Sequence, residues 1–539
     1  GKRPPQAAGR RMSCLAGLCA RLCGSGQRSS KAQEHEDLQV FNTVSVHLSQ
    51  ARGWNLSGAQ LDLGRFRLNY DPRRPFKKEY QILEKLGEGS FGQVHRVKHK
   101  ALKQVRAMKV LNKKAEVKDD LAFVVTEIEA MVRLDHPNVS KFYQFYEDAS
   151  HIYLICELLT EGDFSALNNK CEQSVLQVLF QDVFRGVAYC HSEGIAHRDL
   201  KFENCLRTKG SDRMIGKVID FGLSAIKPDS VAGELYMKES LGTKFFVAPE
   251  VIERRSYGVK CDCWSLGIMI YIVLTGEFPF QENNENAPSM PTDKLFQRIL
   301  HSKFRLRPLD KAHAPVSAVQ LIKGLLNKNP TGRLDATTAL EMPGSWLSAE
   351  SSSTQASDLK RGFSQKMIRR MQTFAEMSRF EKTVCMMAAH QSDTTRMEEA
   401  RRVFTSMDTH ADGSLTREEI KAGFAKCNKR LSDQEVEDMF EAVDTNHSGK
   451  ISYHEWLSAV MAPQILGVEN AIKELFHFFD SDGSGTISIA ELRDVVGGTE
   501  GALIIDQNDG NHDGSLDYSE FKALIDKVAE HRRQLEADE

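Results

Sequence analysis

The sequence lacks the features of membrane-spanning and of secreted, disulfide-rich proteins. No apolar run approaches the roughly 20 residues that a membrane helix needs. The longest run, WSLGIMIYIVLTG, is interrupted by small and polar residues and ends at Gly276, which predicts a buried core helix. The 11 cysteines are odd in number and scattered, without a CxxC pair. In a chain of 539 residues, long enough for several domains, this pattern predicts reduced thiols and a cytoplasmic protein.

The chain also lacks a large overall charge, because its net charge is only −3. The charge is unevenly distributed, however. Residues 401–530 carry 12 basic and 25 acidic side chains, the last nine residues contribute −1, and +11 remains on residues 1–400. The acidic part excludes nucleic-acid binding. It could attract cations, dock on a basic surface, or consist of ordinary solvated helix faces.

The N-terminal segment has no acidic residue among its first 30 residues, but it has six basic ones and three cysteines. Arg21 interrupts its short apolar stretch, so a secretory signal is not expected. Pro5 stands where the myristoylation pattern requires Ser or Thr. We therefore predict that residues 1–79 form a partly disordered extension, with membrane contact through the basic, cysteine-containing segment as the alternative.

Two lobes are predicted from Tyr80 onwards. Strand-like runs such as YQILEKLGEGSFGQVHRVKH and VRAMKVLN alternate with glycines, and DDLAFVVTEIEAMVRL reads as a helix. After Cys171 the chain becomes mostly helical as far as Trp346, and SAESSSTQAS at 348–357 reads as a polar linker. The pattern predicts a small β-rich lobe followed by a larger helical lobe.

A glycine-rich segment, GEGSFGQV, connects two of the predicted strands through Gly87, Gly89 and Gly92. Glycines let backbone amides approach phosphate oxygens closely. Dinucleotide-binding folds also use GxGxxG, but there the next element is a helix and an acidic residue follows at a fixed distance. Here the next element is strand-like, which favours a phosphate-covering hairpin.

The next predicted strand contains Lys109, which could hold the phosphates if an acidic partner fixed its position. The following helix offers Glu127 or Glu129. We choose Glu127 because the residue four positions later is the apolar Met131, which can face the core, whereas Glu129 is followed at that spacing by Arg133.

The segment HRDLKFEN supplies the groups that phosphoryl transfer requires. Asp199 can accept the proton of a substrate hydroxyl, Lys201 can neutralise charge on the transferred phosphoryl group, and Asn204 offers an amide oxygen to Mg²⁺. Asp220, in the motif DFG, supplies a carboxylate ligand for Mg²⁺. The motif APE follows at 248–250. The reaction depends on positioning and charge neutralisation, which this set provides.

With these motifs in this order, residues 80–347 resemble a eukaryotic protein kinase of the serine/threonine branch. The resemblance implies that Asp262 and an Arg333–Glu250 pair support the fold, and that Phe202 and Phe246 replace a common proline and tyrosine outside the chemistry. It adds nucleotide-binding positions at Val94, Cys156, Glu157 and Asp163, with Cys156 at the gate of a pocket behind adenine. A catalytically silent pseudokinase is the alternative, although Lys109, Asp199, Asn204 and Asp220 are all present.

Four twelve-residue segments repeat one pattern near the C-terminus, namely 408–419, 444–455, 480–491 and 509–520. Each begins with Asp, has Gly at position 6 and an apolar residue at position 8, and ends with Glu, as EF-hand Ca²⁺ loops do. The predicted ligands are Asp408, Asp412, Ser414, Thr416 and Glu419; Asp444, Asn446, Ser448, Lys450 and Glu455; Asp480, Asp482, Ser484, Thr486 and Glu491; and Asp509, Asn511, Asp513, Ser515 and Glu520.

Two departures from the EF-hand pattern lead to separate expectations. His410 occupies the third position of the first loop, and imidazole is a poor ligand for a hard cation, so this hand should be the weakest. The loops start 36, 36 and then 29 residues apart. We expect the helix entering the fourth loop to be about two turns short, with a break at GGTEG.

Between the kinase-like part and the loops, GFSQKMIRRMQTFAEMSRF predicts a basic amphipathic helix. Its apolar positions are Phe363, Met367, Met371, Phe374, Met377 and Phe380. It could be a target helix for the acidic EF-hand lobes or a core helix of either neighbour.

The order of kinase, junction and four EF-hands resembles the calcium-dependent protein kinases of plants and protists. The resemblance implies a Ca²⁺-activated serine/threonine kinase that uses ATP and Mg²⁺ and is held off without Ca²⁺ by the junction and EF-hand module. The rival is a Ca²⁺ buffer or scaffold whose kinase fold is silent. Glu203 and Asp163 could contact basic residues that precede the target Ser or Thr.

The predicted fold class is therefore α+β and multidomain, a bilobal protein kinase fold followed by an all-α calmodulin-like module. The predicted divisions are an extension at 1–79, a kinase domain at 80–347, a linker and junction helix at 348–395, the EF-hand module at 396–530 and a tail at 531–539. The expected partners are ATP, Ca²⁺ and protein substrates of a cytoplasmic monomer.

Overall fold

A computed structural model describes most of the chain after residue 74. The described residues are 75–89, 92–113, 120–210, 212–227, 237, 242–282, 290–348, 365–392, 397–426, 431–461, 469–480, 482–496 and 498–537. Residues 1–74, the polar linker and Phe363 of the junction lie outside them.

The N-terminal lobe is an antiparallel five-stranded sheet of order β1-β2-β3-β5-β4 with one long helix. Its elements are α1 (Phe76–Glu79), β1 (Tyr80–Gly89), β2 (Gly92–His99), β3 (Val105–Asn112), α2 (Asp120–Arg133), β4 (Phe142–Glu147) and β5 (His151–Cys156). The buried faces of β4 and β5 and of helix α2 share an apolar core, as runs of β-branched and aromatic residues predict.

The C-terminal lobe is mainly helical, with short strands beside the catalytic segment. Its elements are α3 (Gln173–Ser192), β6 (Ile195–Ala196), β7 (Cys205–Lys209), β8 (Met214–Val218), β9 (Ala225–Ile226), α4 (Pro249–Ile252), α5 (Lys260–Thr275), α6 (Thr292–His301), α7 (Arg307–Lys311), α8 (Val316–Leu325) and α9 (Ala336–Glu341). Single 3-10 turns form at 164–166, 202–204, 330–332 and 346–348. The two lobes confirm the predicted α+β fold.

Helix α5 is the buried apolar helix that the longest hydrophobic run predicts. It is buried on all sides and ends at Gly276, whose φ of 72° gives the left-handed conformation that glycine adopts most easily. In the described part of the chain, no helix is both long and apolar enough to cross a bilayer. Beside α5, the buried Arg333 forms a two-pronged ion pair with Glu250 at 2.6 and 2.8 Å.

The junction consists of two helices, α10 (Gln365–Glu376) and α11 (Arg379–Gln391), so the prediction of one continuous helix through Phe380 is wrong. Ser378 starts the second helix. Its side chain accepts the N–H of Glu381, and the Glu381 side chain accepts the N–H of Ser378 in return. This reciprocal capping satisfies backbone donors at the start of α11 and ends the first helix.

The EF-hand module contains four helix–loop–helix units. Their elements are α12 (Glu398–Met407), β10 (Ser414–Leu415), α13 (Arg417–Lys426), α14 (Asp433–Val443), β11 (Ile451–Ser452), α15 (Tyr453–Val460), α16 (Glu469–Phe479), β12 (Ile487–Ser488), α17 (Ile489–Val496), α18 (Gly498–Asn508), β13 (Ser515–Leu516) and α19 (Tyr518–Ala537). The loops pair through two short antiparallel sheets, β10 with β11 and β12 with β13.

The expectation of a shortened helix before the fourth loop is wrong. Helix α18 has 11 residues, as many as α14 and α16. The shorter spacing comes from the connection, because α17 ends at Val496 and α18 starts at Gly498. The predicted tail likewise continues helix α19 as far as Ala537.

Candidate functional site

The ammonium group of Lys109 lies between two carboxylates at the base of the cleft between the two kinase lobes. Its Nζ is 2.6 Å from Glu127 Oε1 and 2.7 Å from Asp220 Oδ1. Burial disfavours the charged lysine, but the two carboxylates outweigh burial and raise the pKa of Lys109. Glu129 faces elsewhere and pairs with Arg133 at 2.8 Å. The geometry therefore joins Lys109 to Glu127, the partner chosen from the sequence.

Asp220 has a strained backbone, with φ at 63°, which is unusual for a residue with a side chain. Its Oδ1 also accepts the N–H of Gly222 at 3.3 Å. Burial raises its pKa and the charge of Lys109 lowers it, and the net pKa lies below the ordinary value. The carboxyl is thus held as a carboxylate, which is the form that binds a metal ion.

Asp199, in the catalytic segment, is held by three neighbouring residues. Lys201 Nζ lies 2.6 Å from its Oδ2, and Asn204 Nδ2 donates to the backbone carbonyl of Asp199 at 2.8 Å. The hydroxyl of Thr243 donates to the other carboxylate oxygen at 2.8 Å, and its N–H does so at 3.0 Å. Asp199 is consequently fixed in orientation, as a group that must meet a substrate hydroxyl requires.

The buried carboxylate of Asp262 holds the backbone of the catalytic segment in place. Asp262 accepts the N–H groups of His197 and Arg198, each at 2.8 Å, and contacts His191 Nε2 at 2.9 Å. Burial would raise the pKa of Asp262, but these contacts keep it below its ordinary value. The backbone next to Asp199 is therefore anchored to helix α5.

The glycine-rich hairpin covers the cleft where strands β1 and β2 meet. Gly87 lies opposite Val94 and Gly89 opposite Gly92, and Val94 lies opposite Lys109 on β3. Gly92 has a φ of 140°, and a Cβ atom there would lie 2.0 Å from the carbonyl oxygen of Val110. A side chain at this position is excluded by the close approach of β3.

The back of the cleft is formed by the end of β5. Cys156 is half-buried and lies opposite Ala107 and Phe142 in the sheet, whereas the four residues before it are buried. The next residue, Glu157, forms a buried ion pair with Lys217 at 2.7 Å. Asp163 accepts the N–H of Ser165 and starts the next 3-10 turn.

The glutamate at position 12 of an EF-hand loop accepts a backbone N–H from position 9 of the same loop. Glu455 Oε2 accepts the N–H of Ser452, and Glu491 Oε2 accepts that of Ser488, each at 2.9 Å. Glu520 Oε2 accepts the N–H of Asp517, also at 2.9 Å. In each loop the first Asp accepts the N–H of the central glycine.

The third loop brings three carboxylates together. Among the described residues, Asp480, Asp482 and Glu491 bring one oxygen each within 4.8 Å of one another. Carboxylate oxygens at this separation suit Ca²⁺, which takes six to eight oxygen ligands. In the second and fourth loops, Asp444, Asn446, Asp509 and Asn511 accept backbone N–H groups of their own loop.

Comparison with known proteins agrees with this geometry. A family model described as "Protein kinase domain" matches residues 80–345, "EF-hand domain pair" matches 397–461, and two single EF-hand models match 471–499 and 504–525. Calcium-dependent protein kinase 17 of Arabidopsis thaliana is 32% identical over 484 residues, which cover 86% of this chain and 87% of that protein. The chain belongs to the calcium-dependent protein kinase family.

Two further family members from Arabidopsis thaliana show similar agreement. Calcium-dependent protein kinase 34 is 32% identical and covers 85% of this chain and 86% of its own length. Calcium-dependent protein kinase 33 is 30% identical and covers 79% and 80%. The predicted family, fold and serine/threonine kinase activity are thereby confirmed.

In this calcium-dependent protein kinase, the end of junction helix α11 contacts the kinase at β3, at β4 and at Lys141, the residue before β4. Arg106 donates to the side chain of Gln391 at 2.9 Å, and Lys141 donates to the carbonyl of Ala389 at 3.1 Å. His390 Nε2 lies 3.0 Å from the carbonyl of Tyr143. None of these residues belongs to the catalytic set.

The junction helices pack inside the EF-hand module. The described apolar positions of the junction are buried in the core of that module, namely Met367, Met371, Phe374, Met377 and Phe380. Phe380 lies against the rings of Phe479 and Phe521. These positions lie in the core of the EF-hand module and not in that of the kinase, an arrangement that fits both a target helix of the EF-hands and a core helix of their module.

Sequence reasoning missed two residues of the site, Thr243 and Lys217. Thr243 lies 44 positions after the aspartate that it contacts, so no local spacing reveals the contact. Lys217 directly precedes VIDFG, and the sequence around it gives no sign that it is buried beside Glu157.

Proposed function

We propose that Ca²⁺ activates this kinase to transfer the γ-phosphoryl group of ATP to protein Ser and Thr side chains. The observation that carries the proposal is the buried Lys109–Glu127 pair together with Asp220. Kinases need this pair and a metal-binding DFG aspartate in place at the same time. No member of the catalytic set is missing, which argues against the pseudokinase and scaffold alternatives.

In this proposal each residue has one task. Lys109 holds the α- and β-phosphates, and the glycine-rich hairpin closes over them. Asp220 and Asn204 would hold Mg²⁺, which would neutralise the charge of the phosphates. Asp199 orients the substrate hydroxyl and accepts its proton, and Lys201 neutralises the transferred group.

For regulation, we propose that the junction and EF-hand module keep the kinase inactive without Ca²⁺. Binding of Ca²⁺ then changes the packing of this module and releases the kinase. Support comes from the position of the module, which contacts the kinase outside the catalytic set while the Lys109–Glu127 pair is formed. We assign this arrangement to the active form. A ligand shifts such an equilibrium only through its different affinity for the two forms.

The proposal is tested by phosphate transfer to a Ser/Thr peptide with ATP and Mg²⁺, in Ca²⁺ and in EGTA. We expect transfer in micromolar-range Ca²⁺, because sensor EF-hands bind at ~10⁻⁷–10⁻⁵ M, and little transfer in EGTA. Full activity in EGTA would falsify the switch. Ca²⁺ binding without transfer under any condition would instead identify a Ca²⁺ buffer or scaffold.

A preference for substrates with Arg or Lys before the target residue is also proposed. It is supported by Glu203, which is exposed next to the catalytic segment, and by Asp163. A peptide array with the basic residues replaced one at a time measures it, and equal phosphorylation of all peptides would rule it out.

The cellular setting is a further proposal. We propose that the protein is cytoplasmic, because its cysteines are scattered, and that it acts as a monomer. Membrane contact through residues 1–30 is the alternative to a purely cytoplasmic setting. Sedimentation with vesicles that contain anionic lipid, compared with a chain starting at residue 31, distinguishes the two settings.

A further inference from the structure

The first EF-hand loop differs from the other three at its third position. In those loops the side-chain oxygens of Asn446, Asp482 and Asn511 accept the N–H two residues later, at 3.0, 2.9 and 2.9 Å. His410 has no oxygen to offer. Its Nδ1 instead lies 2.8 Å from Glu419 Oε1, on the carboxylate that should bind the ion with both oxygens.

A basic side chain also reaches this loop from its neighbour, the second loop. Lys450 Nζ lies 2.5 Å from Asp412 Oδ2, the predicted ligand at position 5. The side chain of Lys450 is free to do so because position 7 of an EF-hand loop contributes its backbone carbonyl. Two predicted ligands of the first loop are therefore paired with basic side chains of the chain itself.

The first loop is also buried where the other loops are exposed. Ala411 and Gly413, at positions 4 and 6, are buried, whereas the corresponding residues of the other loops are exposed, namely His447, Gly449, Gly483, Gly485, His512 and Gly514. A Cβ atom on Gly413 would lie 2.4 Å from Tyr189 Cδ2 and 2.9 Å from His136 Cδ2. Both residues belong to the kinase domain, so the loop is packed against it.

We propose that residues 408–419 bind no Ca²⁺ and form a docking contact for the kinase domain, with His410 and Lys450 occupying oxygens of Glu419 and Asp412. A Ca²⁺ ion would have to displace both basic groups and replace the missing oxygen of position 3. It would also compete with the kinase side chains that cover the loop. The inference concerns ion binding and packing, so it stands whether or not Ca²⁺ activates catalysis.

The number of bound ions is the first test, made by equilibrium dialysis of the full chain with radioactive Ca²⁺ and without ATP. We expect about three ions per chain, because three loops keep the oxygen pattern. Glu419→Gln should leave this number unchanged, and the matched change Glu455→Gln should lower it by one. Four ions in the parent, or loss of one in Glu419→Gln, would overturn the inference.

A gain-of-binding variant covers the case in which Glu419→Gln does not fold. The double change His410→Asp and Lys450→Ala supplies the missing oxygen and removes the competing ammonium group. We expect it to bind one more ion than the parent. An unchanged number would show that His410 and Lys450 are not what excludes Ca²⁺.

The docking contact is tested by hydrogen exchange in saturating Ca²⁺. Ala411→Lys places a long charged side chain at the buried position 4, and His447→Lys makes the same change at the exposed position of the second loop. Both positions have similar backbone conformations, with φ of 53° and 54°. We expect faster deuterium uptake in the kinase peptides containing His136 and Tyr189 only for Ala411→Lys. Equal uptake in the two variants would exclude docking through this loop.

Discussion

The gate position behind the nucleotide gives a prediction that the structure makes quantitative. Cys156 is half-buried, although the four residues before it in β5 are buried, and its neighbours across the sheet are the small Ala107 and the buried Phe142. Most kinases have a larger residue at this position. An adenine mimic with a bulky aryl group should therefore find space here that other kinases do not provide.

Replacing Cys156 with Met adds two carbon atoms at the entrance to this space. Overlap in a packed pocket typically costs ~1–3 kcal/mol, so the affinity for the bulky inhibitor should fall roughly tenfold to a hundredfold. ATP does not reach behind the gate, and its KM should stay unchanged.

Inhibition constants of the parent and variant, measured at equal saturation with ATP, provide the assay. Cys171→Met is the control, because Cys171 is also half-buried but precedes helix α3, outside the set of nucleotide-binding residues. Equal sensitivity of the parent and Cys156→Met would refute the reasoning, since neighbouring side chains would then already fill the space.

Three more changes test other parts of the molecule. Asp220→Asn should abolish peptide phosphorylation by weakening Mg²⁺ binding while the number of bound Ca²⁺ ions stays the same, and loss of Ca²⁺ binding would point to misfolding instead. Glu455→Gln and Glu491→Gln should each raise the Ca²⁺ concentration for half-maximal activity more than Glu419→Gln does; the opposite order in a Ca²⁺ titration would contradict our ranking of the loops. Arg106→Ala removes hydrogen bonds from a charged donor, including the one to Gln391, each worth ~1.5–3 kcal/mol. It should lower activity in Ca²⁺ without changing the Ca²⁺ affinity measured without ATP. Unchanged activity would show that the Arg106–Gln391 contact does not support the active form.

The parts of the site that depend on local spacing could be predicted from the sequence. Helix periodicity separated Glu127 from Glu129 because only Glu127 has an apolar residue one turn later. The Ca²⁺ loops were predictable for the same reason, since all their ligands lie within twelve consecutive residues.

The parts that depend on contacts between distant segments could not be predicted in this way. Thr243 reaches Asp199 only after the activation segment folds back, and Gly413 is packed against Tyr189 and His136 of the kinase domain, more than 200 positions away. The break in the junction was different, because the Ser378–Glu381 capping box was visible in the sequence. The strong apolar periodicity across it hid the signal.

Helix α11 contacts the EF-hand core near its start and the kinase at its end. Phe380, near its start, packs on the rings of Phe479 and Phe521 in the EF-hand core. At its end, Lys141 of the kinase donates to the carbonyls of Ala389 and Ser392. Carbonyl groups at the end of a helix carry partial negative charge and attract cations only while the helix is formed. The kinase contact thus requires α11 to remain helical to its last turn, and the EF-hands that enclose its first turns supply that condition.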